Sequence, residues 1–244
     1  MKLAASAWEF RYRFWLFGAW FLVCFNGGYG MDRRNLAVAV AKTLCGLAGR
    51  PARDADIRLL FFAGALLTGL AAALRTWATA YIRPEVMVDG VVHTHTVVAE
   101  GPYRHVRNPM YLGTNLMAVG YAFLASRLGG ILLIAGIVLF NYRLILREEH
   151  ELREARGEQY ERYRRAVPRL WFGLRPRTAG TERAPDWGAG FLGEAFFWGL
   201  AAALLAFAAT FSMRVYFFVL GASFAVYFIC LRIIRRKKRL GSNT

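Results

Sequence analysis

The stretch Gly101-Pro102-Tyr103-Arg104-His105-Val106-Arg107-Asn108-Pro109-Met110-Tyr111-Leu112-Gly113 gathers cations, aromatic rings and turn formers around one predicted helix start. Gly-Pro makes a turn. Pro109 suits the first turn of the following helix, where its missing N–H is no loss, and Asn108 before it is the expected N-cap. Free N–H groups at that helix end, beside Arg104 and Arg107, predict an anion site. Tyr103 and Tyr111 add faces that suit a cation or an adenine ring, and His105 stands beside the same site. A plain belt of Arg and Tyr anchoring a helix end among lipid headgroups is the competing reading.

Glu148-Glu149 is the second cluster. Two acids just beyond an apolar helix oppose both the positive-inside bias and the helix dipole, so a cation must compensate them: Arg107, Arg75 or a cationic ligand. A solvated face with pairs such as Glu149–Arg153 is the alternative. Arg75, in Leu74-Arg75-Thr76-Trp77, lies inside an apolar run. A charge at that depth costs roughly 2.5–3.5 kcal/mol on insertion scales, so Arg75 should face a polar cavity or a carboxylate unless it snorkels towards the end marked by Arg83. Together with Trp77 it is a candidate substrate contact. His93-Thr94-His95 has the spacing of two ligands on one face of a strand, but no cysteine or acid cluster joins it, and no metal site is expected. Cys24, Cys45 and Cys230 each stand alone, which implies no disulfide framework.

The elements that must position these residues are apolar. Of 244 residues 57% are hydrophobic and 20% charged, with mean hydropathy +0.30. Soluble domains run about 45–50% apolar and about 25% charged. The excess forms long blocks, which excludes a disordered chain and points to a membrane protein. The net charge of +16 does not point to nucleic acid, because the arginines flank apolar blocks: Arg11 and Arg13, Arg58 and Arg83, Arg235 to Arg239.

A spanning helix needs about 20 mostly apolar residues. Trp8–Asn26 qualifies marginally and reads as a retained first membrane segment rather than a cleaved signal. Leu36–Leu47 is short and reads as a re-entrant or interfacial helix. Leu59–Tyr81 is a span. Met110–Ala125 with Leu128–Leu146, and Phe191–Met213 with Val215–Ile234, read as two helical hairpins. Glu85–Pro109 suggests an extended or hairpin-like connector, and Arg147–Arg169 a charged amphipathic helix ending at Val167-Pro168. The expected fold is an all-α, polytopic transmembrane helical bundle of five to six spans. Its divisions are an N-terminal membrane segment (1–58), a core (59–177) and a C-terminal hairpin with basic tail (178–244). The positive-inside rule puts both polar stretches and the tail in the cytoplasm.

Gly101-Pro102-Tyr103-Arg104…Arg107-Asn108-Pro109…Tyr111…Gly113 resembles the G-P-Y-R-x-x-R-H-P-x-Y-x-G signature of the isoprenylcysteine carboxyl methyltransferase family and related phospholipid methyltransferases. Glu148-Glu149…Leu152…Gly157…Tyr160…Tyr163…Val167-Pro168 resembles that family's continuation, so the likeness covers about Leu74–Arg169. The resemblance implies an integral membrane enzyme that transfers a methyl group from S-adenosylmethionine to a lipid-like or prenylated amphipathic acceptor, at a carboxyl or an amine. It implies a cytoplasmic cofactor pocket drawn from Tyr103, Arg104, His105, Arg107, Asn108, Pro109, Tyr111, Gly113, Glu148 and Glu149. Arg107 and Glu149 are its catalytic candidates, and Arg75 and Trp77 its substrate contacts. Asn108 stands where many members have histidine, and asparagine cannot take up a proton near pH 7. An amine acceptor, which must lose a proton, would then need Glu149 or His105 as base; a carboxylate acceptor needs none. An NADPH-dependent sterol-type reductase and a non-catalytic membrane scaffold are the rival readings.

Overall fold

A computed structural model describes the backbone of residues 3–82, 99–180 and 184–241, and side chains up to residue 232. Among these residues the regular structure is helical throughout and takes in 77% of them, with no strand. Residues 85–98 of the expected extended connector, with His93 and His95, lie outside the described residues. Its described end folds as a 3₁₀ turn, Gly101–Arg104.

The N-terminal block is broken rather than a single span. It comprises α1 (Ala7–Arg11), α2 (Arg13–Leu22), a π turn (Val23–Gly27) and α3 (Gly28–Met31). Tyr12, at φ −102° and ψ 15°, interrupts the helix between the two arginines. The short helix α4 (Leu36–Leu47) ends where the apolar run ends. At about 18 Å it falls short of the hydrocarbon thickness of about 30 Å. Next comes α5 (Asp54–Thr79), then α6 (Pro109–Ala122), α7 (Arg127–Ala166), α8 (Trp187–Gly193), α9 (Ala195–Thr210) and α10 (Met213–Gly241).

Three described helices are long and apolar enough to cross a membrane, in α5, α7 and α10; α8 with α9, bent by 61°, makes a fourth if the pair is one span. The expectation of five to six counted the broken N-terminal block and α6. With 14 residues, α6 is only about 21 Å long. The expected charged helix after Leu146 is not separate. It continues α7, because Arg and Glu are good helix formers and nothing before Gly157 stops the ladder. Gly157 itself adopts φ 46°, a left-handed value that suits glycine, and kinks the helix there. Up to that kink, residues 127–156 alone are about 45 Å long, more than the roughly 30 Å of a bilayer's hydrocarbon core. The apolar part of α7, residues 128–146, is the candidate membrane segment, and both acids lie beyond it.

Close packing sets where α6 sits. Gly64 on α5 and Gly120 on α6 touch backbone to backbone: a Cβ on Gly64 would come within 2.7 Å of the Gly120 carbonyl oxygen. The turn between α6 and α7 is capped by Ser126, whose hydroxyl accepts from the Gly129 N–H at 3.0 Å. Asn35, at the head of α4, donates to the Phe123 and Ala125 carbonyls and ties the N-terminal third to that turn. The apolar core joins α5, α6 and α9 through Phe61, Ala71, Met117, Tyr121, Leu204 and Phe207.

Candidate functional site

The site forms where the chain entering α6 meets the end of α7 folded back against it. Tyr160, Tyr163 and Val167 pack together there against Ala99 and Leu152. The Tyr163 hydroxyl donates to the Tyr103 carbonyl at 2.8 Å, and the Arg107 N–H to the Pro168 carbonyl at 2.8 Å. Arg107 also satisfies the last carbonyls of α7: its Nη1 donates to Arg164 and Val167. A cation placed there answers both the unpaired carbonyls and the negative end of the helix dipole.

The same guanidinium reaches Glu149, with Nη2 at 3.0 Å and Nε at 3.2 Å from Oε1. Arg169 grips the carboxylate from the other side, Nη2 to Oε2 at 2.7 Å. Burial alone would push the Glu149 carboxyl up, but the hydrogen bond and charge of Arg169 and the charge of Arg107 outweigh it and hold the group below its ordinary range. Glu149 is therefore ionised and internally neutralised. Asn108 occupies the N-cap position of α6, as expected, but its side chain does not cap the helix. Its amide donates instead to the Arg169 carbonyl at 3.1 Å and reaches Glu149 Oε1 at 3.5 Å. Pro109 takes the first helical position.

Glu148 meets a different environment. Its Oε1 accepts the Tyr111 hydroxyl at 2.6 Å. Burial pushes its carboxyl up to about 7, against the lowering effect of that hydrogen bond and of Arg13; Glu151 and Glu149 add to the rise. Phe10, buried on α1, packs with Ala5 on Leu144, with Tyr111 alongside, so the N-terminal segment closes one side of this acid. The closure is held by Arg143, which donates to both oxygens of Glu9 at 2.6 and 3.0 Å.

The other candidates are placed differently. Arg104 donates to the Thr178 carbonyl at 2.9 Å, away from the acids. His105 Nδ1 lies 2.7 Å from the Gly173 carbonyl, which can only accept, so that nitrogen carries the proton. Its ring stacks on Phe172 at 5.2 Å and neighbours Trp77 at 5.8 Å. Gly113 gives room to Arg75: a Cβ there would lie 2.5 Å from Arg75 Cγ. Arg75 does find a carboxylate, but it is Glu194, at 2.6 Å, rather than Glu148 or Glu149. Sequence reasoning missed Glu194 and the grip of Arg169. The available signal for the first was a lone acid inside the apolar block Phe191–Met213, complementary to the lone cation inside Leu59–Tyr81.

Residues 59–159 match the family model for phospholipid methyltransferase. No curated protein and no solved structure matches the chain. The matched segment carries Arg75, the stretch from Gly101 to Gly113 and both acids, and it ends before Arg169 and Glu194. It supports a membrane methyltransferase acting on lipid-like substrates: over residues 59–159 the chain is similar to the phospholipid methyltransferases.

Proposed function

We propose that the chain is an S-adenosylmethionine-dependent methyltransferase, with its cofactor held between the start of α6 and the acid pair on α7 and its amphipathic acceptor entering from the bilayer. The observation that carries this reading is the division of labour between the two acids. Glu149 is spent on Arg107 and Arg169, which fixes the start of α6 against the end of α7. Glu148 has a tyrosine hydroxyl on one oxygen and no arginine within ion-pair distance in the described structure. An acid so placed suits an ammonium group or ribose hydroxyls. Arg169, part exposed beyond its contact with Glu149, presents a cation for a carboxylate. This donor set fits a zwitterionic cofactor, which when bound supplies an electrophilic methyl group.

The protein's own residues then bind, orient and exclude water. Tyr111 holds Glu148, Asn108 ties the helix start to Arg169, and Phe10 covers the Tyr111 side. Displacement at a methyl group is a single step, so its acceleration comes from alignment and from keeping water out. Asn108 cannot act as a base, and the Glu149 carboxylate is committed to two arginines. A carboxylate acceptor needs no base, whereas an amine acceptor would leave its proton to Glu148, whose carboxyl lies near 7.

Calorimetric titration of the detergent-purified protein with S-adenosylhomocysteine tests the reading, with NADPH titrated in parallel. The expected result is binding of the former, weakened about tenfold or more by Glu148→Gln, since a hydrogen bond to a charged group is worth roughly 1.5–3 kcal/mol. Binding of NADPH instead would assign the site to a reductase. A folded protein that binds neither would leave a scaffold on the same helices.

A further inference from the structure

Glu194 lies outside residues 59–159 and outside both motifs, yet it is fully buried, at the 61° bend between α8 and α9. Its Oε2 accepts from Arg75 Nε at 2.6 Å; its Oε1 accepts from Arg75 Nη2 at 3.2 Å and from the Thr79 hydroxyl at 2.9 Å. Arg75 has a second set of partners. Its Nη1 donates to the Met110 carbonyl and to the Thr114 hydroxyl, both at 3.0 Å, and its guanidinium lies 3.8 Å over the Phe197 ring. Met110 belongs to the first turn of α6, between Asn108-Pro109 and Tyr111. A continuous line of contacts thus runs from the bend at Glu194, through Arg75, to the turn that aims Asn108 and Tyr111 at the acids. The close approach of Arg75 to Gly113 leaves that guanidinium little freedom to settle elsewhere.

We propose that Glu194 is a positioning residue of the methyl-transfer site, acting through Arg75 to fix the first turn of α6. The inference rests on the cofactor reading above. It makes the bent pair α8–α9 a wall of the site, contributed from beyond the family segment. Arg75, expected as a substrate contact, becomes the link between that wall and the site.

A buried ion pair deprived of one partner destabilises the fold, whereas replacing both partners by apolar groups is often neutral. That difference separates positioning from folding. In the full chain, Glu194→Gln is expected to lower the thermal midpoint, and the double variant Arg75→Leu with Glu194→Leu to recover it. The double variant should nevertheless bind S-adenosylhomocysteine on the order of tenfold more weakly, because weakening one hydrogen bond to a charged group is enough for such a loss. Its backbone amides over 110–114 should also exchange hydrogen faster, with α10 unchanged. Glu194→Asp, which keeps the charge but shortens the reach, should fold and show the same loss of affinity in milder form. A double variant, or Glu194→Asp should the double not fold, with native affinity and native exchange at 110–114 would overturn the proposal. If the native protein binds no S-adenosylhomocysteine, the cofactor reading fails, and the exchange comparison alone decides whether Glu194 fixes the turn.

Discussion

Successive residues on a helix are turned by about 100°, so Glu148 and Glu149 meet different neighbours although they adjoin in sequence. Glu149 turns to Arg107 and Arg169 and stays ionised. Glu148 turns to Tyr111, with the charge of Arg13 favouring its ionisation and Glu149 and Glu151 opposing it; burial is the larger influence and carries it to about 7. Its charge therefore appears between about pH 6 and 8. Asn108 does not titrate there, and His105 is turned away to Gly173. Affinity for a ligand with an ammonium group should consequently rise with pH across that window, since the cation prefers the deprotonated acid; the rise is at most about tenfold per unit below the pKa. Calorimetric titrations with S-adenosylhomocysteine at pH 6, 7 and 8 measure it. Glu148→Gln should flatten the profile, while a native profile already flat would show that Glu148 does not meet the ligand's cation.

At the scale of elements, the crossing of α5 and α6 decides whether Arg75 can reach Met110 at all. A Cβ on Gly120 would lie 2.5 Å from both the Gly64 carbonyl oxygen and the Thr68 hydroxyl, so the helices meet where neither has a side chain. Gly120→Val should force them apart and cost about 1–3 kcal/mol, as overpacking does. The thermal midpoint of the detergent-solubilised protein should fall, with Gly69→Ala, which meets nothing within 4 Å, as the neutral control. A native midpoint for Gly120→Val would mean that the crossing is loose. Much of this layer was legible from sequence because it is local. Leu36–Leu47 starts and stops where its apolar run does, and Pro109 opens its helix. What hydropathy could not show was continuity of the backbone. It counts apolar residues, so Trp8–Asn26 looked like a span although Tyr12 and a π turn break it. The polarity change at Arg147 looked like an end although the helix runs on. The pairing of Arg75 with Glu194 spans 119 positions and depends on how helices cross, which no periodicity records.

For the whole molecule, sidedness follows from how often the chain crosses after the acid site. Beyond Leu146 the chain carries Arg147, Arg153, Arg156, Arg162, Arg164 and Arg165, and its last helix runs into Arg235-Arg236-Lys237-Lys238-Arg239. Between these basic segments lie the bent pair α8–α9 and the span in α10. Counted as one crossing, the bent pair makes two with α10, and both basic segments then share one face, which charge bias makes cytoplasmic. Counted as a re-entrant loop, it leaves a single crossing and puts the basic tail outside, against that bias. Impermeant maleimide applied to intact cells separates the two. A cysteine in place of Gln159, and another in a tag appended after Thr244, should both resist labelling until the cells are permeabilised. The native Cys24, Cys45 and Cys230 are buried and should contribute little background. Labelling of the tag alone in intact cells would make α8–α9 re-entrant. Glu194 would then sit at the turning point of that loop, and its bond to Arg75 would be what holds the loop at the depth of the site.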